Sequence, residues 1–229
     1  MAVKGDADLL HFRRTDLAAQ MVSIFEHRLQ PALTLFASEQ KGMTTFLQQD
    51  FVPLARQHGF LVASVDLLAE PDYPERAIAV ALQEAVCAGQ SQSQNHDLAL
   101  LRSLNLMVRR AKAILRARRG RVSLASGKSC NLKAELKQFN KAGKGRALLV
   151  IEATEHLASR SAFETLTAKL RALLQAPDSG VQVVFAGASG QGHAALFRRN
   201  DAPFYHYGFE MDFPDHSQGA GHQLSRRFG

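Results

Sequence analysis

The 229-residue sequence is short of several things, and each shortage narrows what the protein is. It has only two cysteines, Cys87 and Cys130, at no spacing that suits a metal site or a disulfide framework, so the thiols read as incidental ones in a reducing compartment. No apolar run approaches the roughly 20 residues of a membrane span, and the N-terminal "MAVKGDADLLHFRR" lacks the apolar core of a signal peptide. The chain is therefore expected to be cytoplasmic, with no membrane partner. Acids are almost missing from residues 101–146, where 14 Lys/Arg stand against Glu135 alone; that stretch carries +13 and leaves −6 for the remainder of a +7 chain. The same stretch has no aromatic residue before Phe139, which gives no support to stacking on single-stranded bases.

What is present is enough apolar residue, 46%, for the core of one large domain. Thr15 reads as a helix N-cap, with Asp16 in the first turn and Leu17, Met21, Ile24, Phe25 and Leu29 at helical spacing until Pro31. Apolar runs at 32–37, from Gly59, from Arg146 and from Gly180 read as buried strands. Helical patterns lie between them: after Gly42, where Pro53 is expected to disturb the helix, from Pro74 to about Gly89, and from Ala162. A polar spacer "QSQSQN" at 90–95 leads into a basic, largely helical insert of about 96–145, with loop-like "SLASGKSCN" inside it. Strands alternating with helices indicate an α/β fold, a parallel sheet flanked by helices, spanning 1–214. Residues 215–229 have little to bury and are expected to form a disordered tail.

The stretch "LTLFASEQKGMTTFL", 33–47, has the order of a strand, a phosphate-cradling loop and a helix. Such a loop of form G-x-x-x-x-G-K-[ST] turns backbone N–H groups on a phosphate, adds a Lys charge, and uses a hydroxyl on Mg²⁺. Here Gly42 and Thr44 are in place, but Ala37 stands for the first Gly and Met43 for the Lys, with Lys41 two residues upstream. Candidate nucleotide-binding residues are Ser38, Lys41, Gly42, Met43, Thr44 and Thr45.

A second stretch, "LLVIEATEHLA" at 148–158, ends a strand on an acidic residue. With it, residues of roughly 10–214 resemble the prokaryotic AAA-type P-loop ATPases related to origin-recognition and STAND proteins, whose strand commonly reads "LLVIDEAQHLA". The resemblance implies a P-loop NTPase-like fold, with ATP and Mg²⁺ as cofactors. It puts Glu152 at the Mg²⁺-binding acid, beside Thr44 as the hydroxyl ligand, Ala153 at the water-activating Glu, and Glu155 at the following Gln. It also implies that "HFRRTDLAAQMVSIFEHRL" lies near adenine and that Ala186 takes a common Thr position, with Ser189 the nearest hydroxyl. Arg198 or Arg199, in "ALFRRNDAPFY", would face a γ-phosphate. The helical lid that usually follows is not seen in the chain.

Hydrolysis needs a phosphate-facing cation, a held Mg²⁺ and an oriented water. This chain departs at the Lys, at the Mg²⁺ acid and at the water-activating acid. The expected function is ATP binding within an AAA-type lineage with hydrolysis impaired or absent, Glu152, Glu155 and Arg198 being the remaining catalytic candidates. The alternative is a nucleic-acid-binding or regulatory partner protein that no longer uses nucleotide. Arg109, Arg110, Arg116, Arg118, Arg119 and Arg121 would then follow a DNA backbone. A protein partner is a further expectation, while His193 and His206 have no partner at metal-ligand spacing and are assigned no role.

Overall fold

A strand covered by helices on both sides has no wet face, so it reads as a continuous apolar run rather than an alternating one. In the computed structural model, which describes residues 14–37, 42–94, 131–188 and 190–214 (backbone only at 90–94), three such runs, and a fourth at the sheet edge that exposes Ser64 and Asp66, are strands. They are β1 (Ala32–Ala37), β2 (Leu61–Asp66), β3 (Ala147–Glu152) and β4 (Val181–Ala188), joined by a fifth, β5 (Phe209–Asp212). All neighbours pair parallel, in the order β2-β3-β4-β1-β5. The α/β class expected from the sequence is the observed one. The fifth strand was not expected, because "FEMD" lies at the sheet edge with no fully buried residue and shows no apolar run.

Alternate residues of each strand point to opposite faces. Leu149, Ile151, Val183 and Phe185 meet α4 (Pro74–Gln94), α5 (Leu132–Gly143) and α6 (Glu164–Gln175) on one side. Leu148, Val150, Val184 and Ala186 meet α1 (Thr15–Glu26) and the helical run of 43–57 on the other. The result is a three-layer sandwich with a core on each face of the sheet.

Two helix boundaries differ from the sequence reading. Thr15 is the first helical residue rather than the cap, a position taken by Arg14, whose backbone N–H donates to the buried Asp50 carboxylate at 3.0 Å. A negative group at a helix start satisfies an orphan donor and complements the helix dipole. The helix also stops at Glu26, ahead of Leu29, as Arg28 turns into the left-handed region at φ 51°. Pro53 does not end its helix. A π-helical turn (Leu47–Phe51) lies between α2 (Met43–Phe46) and α3 (Val52–Gln57), and the wider turn accommodates a residue without an N–H.

The basic insert expected over about 96–145 reaches the described residues only at its end, and that end is core. In α5, Leu132, Leu136 and Phe139 recur at helical spacing and are buried, while Asn131 caps the helix by accepting from the Ala134 N–H at 3.2 Å. Full burial of one such side chain contributes roughly 1.5–3 kcal/mol. Residues 95–130 lie outside the described residues, as do 1–13, 38–41, 189 and the tail of 215–229. No helix among the described residues is long and apolar enough to cross a membrane.

Strand order also locates a crevice. From β1 the chain crosses to β2 at one edge, whereas from the adjacent β4 it goes to β5 at the other. Carboxyl ends of neighbouring strands whose connections part in this way leave an opening where ligands bind in open α/β sheets. Here those ends are Ala37 and Ala188, paired in register, with Glu152 ending β3 next to them.

Candidate functional site

Gly42 stands just before α2 at φ 73°, a left-handed conformation that costs glycine nothing, and its carbonyl starts the helix by accepting from the Phe46 N–H at 2.9 Å. Ala37, at the first-Gly position of the loop, is still part of β1. Ser38 and Lys41 lie outside the described residues. Met43, half-buried, packs against the core formed with α1, so its thioether brings no charge to the helix start.

Thr44 and Gln48 are four residues apart, one turn of the same face, and both stand close enough to the Glu152 carboxyl to favour its charge. Thus the two residues expected to hold Mg²⁺ are brought together, 108 positions apart in sequence. Glu152 is only 8% exposed. Burial pushes its carboxyl above the usual range, and the nearby Asp66 adds to that; the polar side chains of Thr44 and Gln48 pull the other way. Asp66 ends β2 in register with Glu152 and accepts from the Leu68 N–H at 2.9 Å. Gln48 and Asp66 were missed as site residues. Signals existed for both: Gln48 lies one helical turn after Thr44, and Asp66 closes an apolar strand as Glu152 does.

A raised pKa means that Glu152 ionises less readily in the folded chain than in the unfolded one. Its contribution to stability is therefore full below the ordinary carboxylate pKa and is lost as pH rises through the folded value. Glu152→Gln is expected to raise the thermal midpoint at pH 8 and to change it little at pH 4. Melting curves at both pH values check this; a lower midpoint at pH 8 would count against a buried, costly carboxylate.

Ala153, at the position where the resemblance expects a water-activating acid, sits in a left-handed turn at φ 54° and carries only a methyl. Thr154 is fully buried, its hydroxyl 3.0 Å from the Ile151 carbonyl and 3.1 Å from that of Ala186, which places a hydroxyl beside the strand position that itself has none. Glu155 accepts from the Ala188 N–H at 3.0 Å and lies so close to Gly187 that a Cβ there would strike its carboxylate. It walls a cleft of about 710 Å³ together with Ser159, Ala188, Gly190, Gln191 and Arg199. Arg198 is turned to Glu210 on β5 at 2.6 Å, and Arg199 to Asp201 at 3.2 Å. Glu155 and Arg198 are therefore separately engaged and do not join the Thr44–Glu152 pair. The hydroxyl expected at Ser189 lies outside the described residues. His193 is buried, its ring stacked 3.7 Å from that of Phe36 near the end of β1. Burial lowers its pKa. Arg109, Arg110, Arg116, Arg118, Arg119 and Arg121 all lie outside the described residues.

Among the described residues no group of three or more His, Cys, Asp or Glu is placed to hold a metal ion. Thr44 and Glu152 nevertheless fit Mg²⁺, a hard cation that takes one or two protein oxygens and keeps several waters. The backbone at Gly42 and the helix behind it fit a phosphate.

No family model and no curated protein matches the sequence. Solved structures do match. The Walker-type ATPase PABY2304 of Pyrococcus abyssi is 13% identical with a TM-score of 0.55, over 95% of this chain and 58% of that one. The ORC2 protein of Aeropyrum pernix, solved as ADPNP–ADP complexes, is 15% identical with a TM-score of 0.55, over 97% and 54%. Cdc6p from Pyrobaculum aerophilum is 16% identical with a TM-score of 0.51, over 97% and 50%. This chain thus spans about half the length of the structures it matches. At such identities the likeness is one of fold alone, an α/β core with a parallel sheet flanked by helices.

Proposed function

We propose that the protein binds ATP with Mg²⁺ at the carboxyl ends of β1 and β3 and hydrolyses it poorly or not at all. The observation that carries this reading is the placing of Thr44 and Gln48 near the Glu152 carboxyl, beside the Gly42 helix start. A hydroxyl and a carboxylate held together at that place are the donors Mg²⁺ needs, and backbone N–H groups at the helix start suit the phosphates. The neighbour from A. pernix was solved with ADPNP and ADP, which supports nucleotide as the ligand class. When bound, Mg²⁺ neutralises phosphate charge; the protein's part is to orient the phosphates at Gly42 and to hold the Thr44 and Glu152 oxygens in place. Met43 adds no cation and Ala153 no acid, so the groups that would stabilise transferred charge and orient water are lacking at these positions.

Isothermal titration with Mg·ATP tests this directly. Wild-type protein is expected to bind, and Thr44→Ala and Glu152→Gln to weaken binding in Mg²⁺ but not in EDTA. No heat of binding at millimolar ATP would sink the proposal. The second reading, a nucleic-acid-binding or regulatory partner that no longer uses nucleotide, is favoured by the +13 charge of 101–146. A salt-dependent shift on DNA, seen together with absent nucleotide binding, would establish it instead.

A further inference from the structure

We propose that the cleft walled by Glu155 and Arg199 binds a small zwitterion of the amino-acid class, its ammonium on Glu155 and its carboxylate on Arg199. This property is independent of the nucleotide reading. At about 710 Å³ the cleft has the size of a small-molecule pocket. The Glu155 carboxylate is built into place. Glu155 is half-buried, and its Oε2 accepts from the Ala188 N–H at 3.0 Å. Glycines on two sides make room for it. A Cβ on Gly187 would strike that same oxygen, and one on Gly192 would come within 2.7 Å of the Glu155 Cβ. The other oxygen, Oε1, has no hydrogen-bond partner among the described residues, and no base there forms an ion pair with the carboxylate.

A carboxylate held by one backbone N–H and short of a cation favours an ammonium group, which brings three donors and a positive charge. Arg199, the cleft's one basic lining residue, is exposed and held to Asp201 at 3.2 Å. Exposed pairs of this kind are weak, so a ligand carboxylate can take over the planar guanidinium fork. Between the two charges the walls are small. Ala158, Ala194 and Ala195 present methyl groups, which suit a short aliphatic chain. The same charges select against other ligands. A phosphate ester is repelled by Glu155, and the second ammonium of a diamine meets Arg199 rather than an acid. An amino acid answers both charges at once.

The test is a ligand-observed NMR titration of the full chain, without nucleotide, using glycine, β-alanine and γ-aminobutyrate. These probes carry the same two charges and differ in the chain between them. Wild type should bind at least one of the three. Glu155→Gln should weaken that binding by about ten- to a hundredfold, the worth of one charge-assisted hydrogen bond. Arg199→Gln should weaken it less, because that side chain is exposed. Melting midpoints of both variants should stay near wild type, since Gln keeps the shape and an acceptor for the Ala188 N–H. Two derivatives of the tightest probe test the same point on wild-type protein. The N-acetyl form, lacking the ammonium, should not bind, and the methyl ester, lacking the carboxylate, should bind more weakly. Absence of binding by all three probes overturns the proposal, as does equal binding by wild type and a folded Glu155→Gln. A methyl ester that binds as tightly as its parent, with Arg199→Gln unchanged, overturns the zwitterion in favour of a plain amine. Failure of the chain to bind ATP would leave each of these outcomes as it stands.

Discussion

Met43→Lys is expected to tighten Mg·ATP binding by roughly ten- to a hundredfold and to leave turnover negligible. The residue is the first of the helix that starts at Gly42, where the dipole already favours an anion. A Lys there adds a charge-assisted hydrogen bond, worth about 1.5–3 kcal/mol, and each 1.4 kcal/mol is tenfold in affinity. Turnover is a different matter. It needs a group to orient water, and Ala153 offers only a methyl whatever stands at position 43. Titration calorimetry gives the affinity and a phosphate-release assay the rate. Hydrolysis at an ordinary ATPase rate by the wild type, or by Met43→Lys alone, would show that another side chain orients the water; Asp66, beside Glu152, would be the first to examine.

Phe185→Ala should cost about 3–5 kcal/mol, as a fully buried ring is removed from a close-packed site. Phe185 sits in the middle of β4, unexposed, with the rings of Phe204, Phe197 and Tyr207 at 4.8, 5.3 and 6.3 Å. Phe197 also lies 5.3 Å from Phe36, so one aromatic cluster ties β1 and β4 to the segment that carries Arg198 and Arg199. For a chain of this size a loss of that order lowers the thermal midpoint by on the order of 10 °C. Leu29→Ala, at a side chain 64% exposed, is the control and should change the midpoint little. Equal midpoints for the two variants would mean that the cluster contributes no more than surface leucine. Any nucleotide binding should weaken in Phe185→Ala at temperatures where the fold begins to loosen, because the crevice is framed by the ends of β1 and β4.

Four strands, their alternation with helices, and hence the α/β class were legible in the sequence, because a doubly covered strand must be apolar throughout and a surface helix must be apolar on one side. The departures at Met43 and Ala153 were equally plain, since identity at a position requires no folding to read. Tertiary structure decided the rest. α5 looked like part of a basic insert because three lysines dominate its composition, yet three apolar residues at the right spacing were enough to place it in the core. β5 stayed hidden because an edge strand need not be apolar: its pairing with β1 comes from backbone hydrogen bonds, which any sequence supplies. The meeting of Thr44, Gln48, Asp66 and Glu152 is a product of strand order. β2 and β3 are neighbours in the sheet while β1 lies two strands from β3, and nothing local to any of those residues specifies that arrangement. Sequence by itself determined which chemical groups the protein has to work with; the burial that raises the Glu152 pKa, and the neighbours that oppose it, exist only once long-range packing has brought the strand ends together.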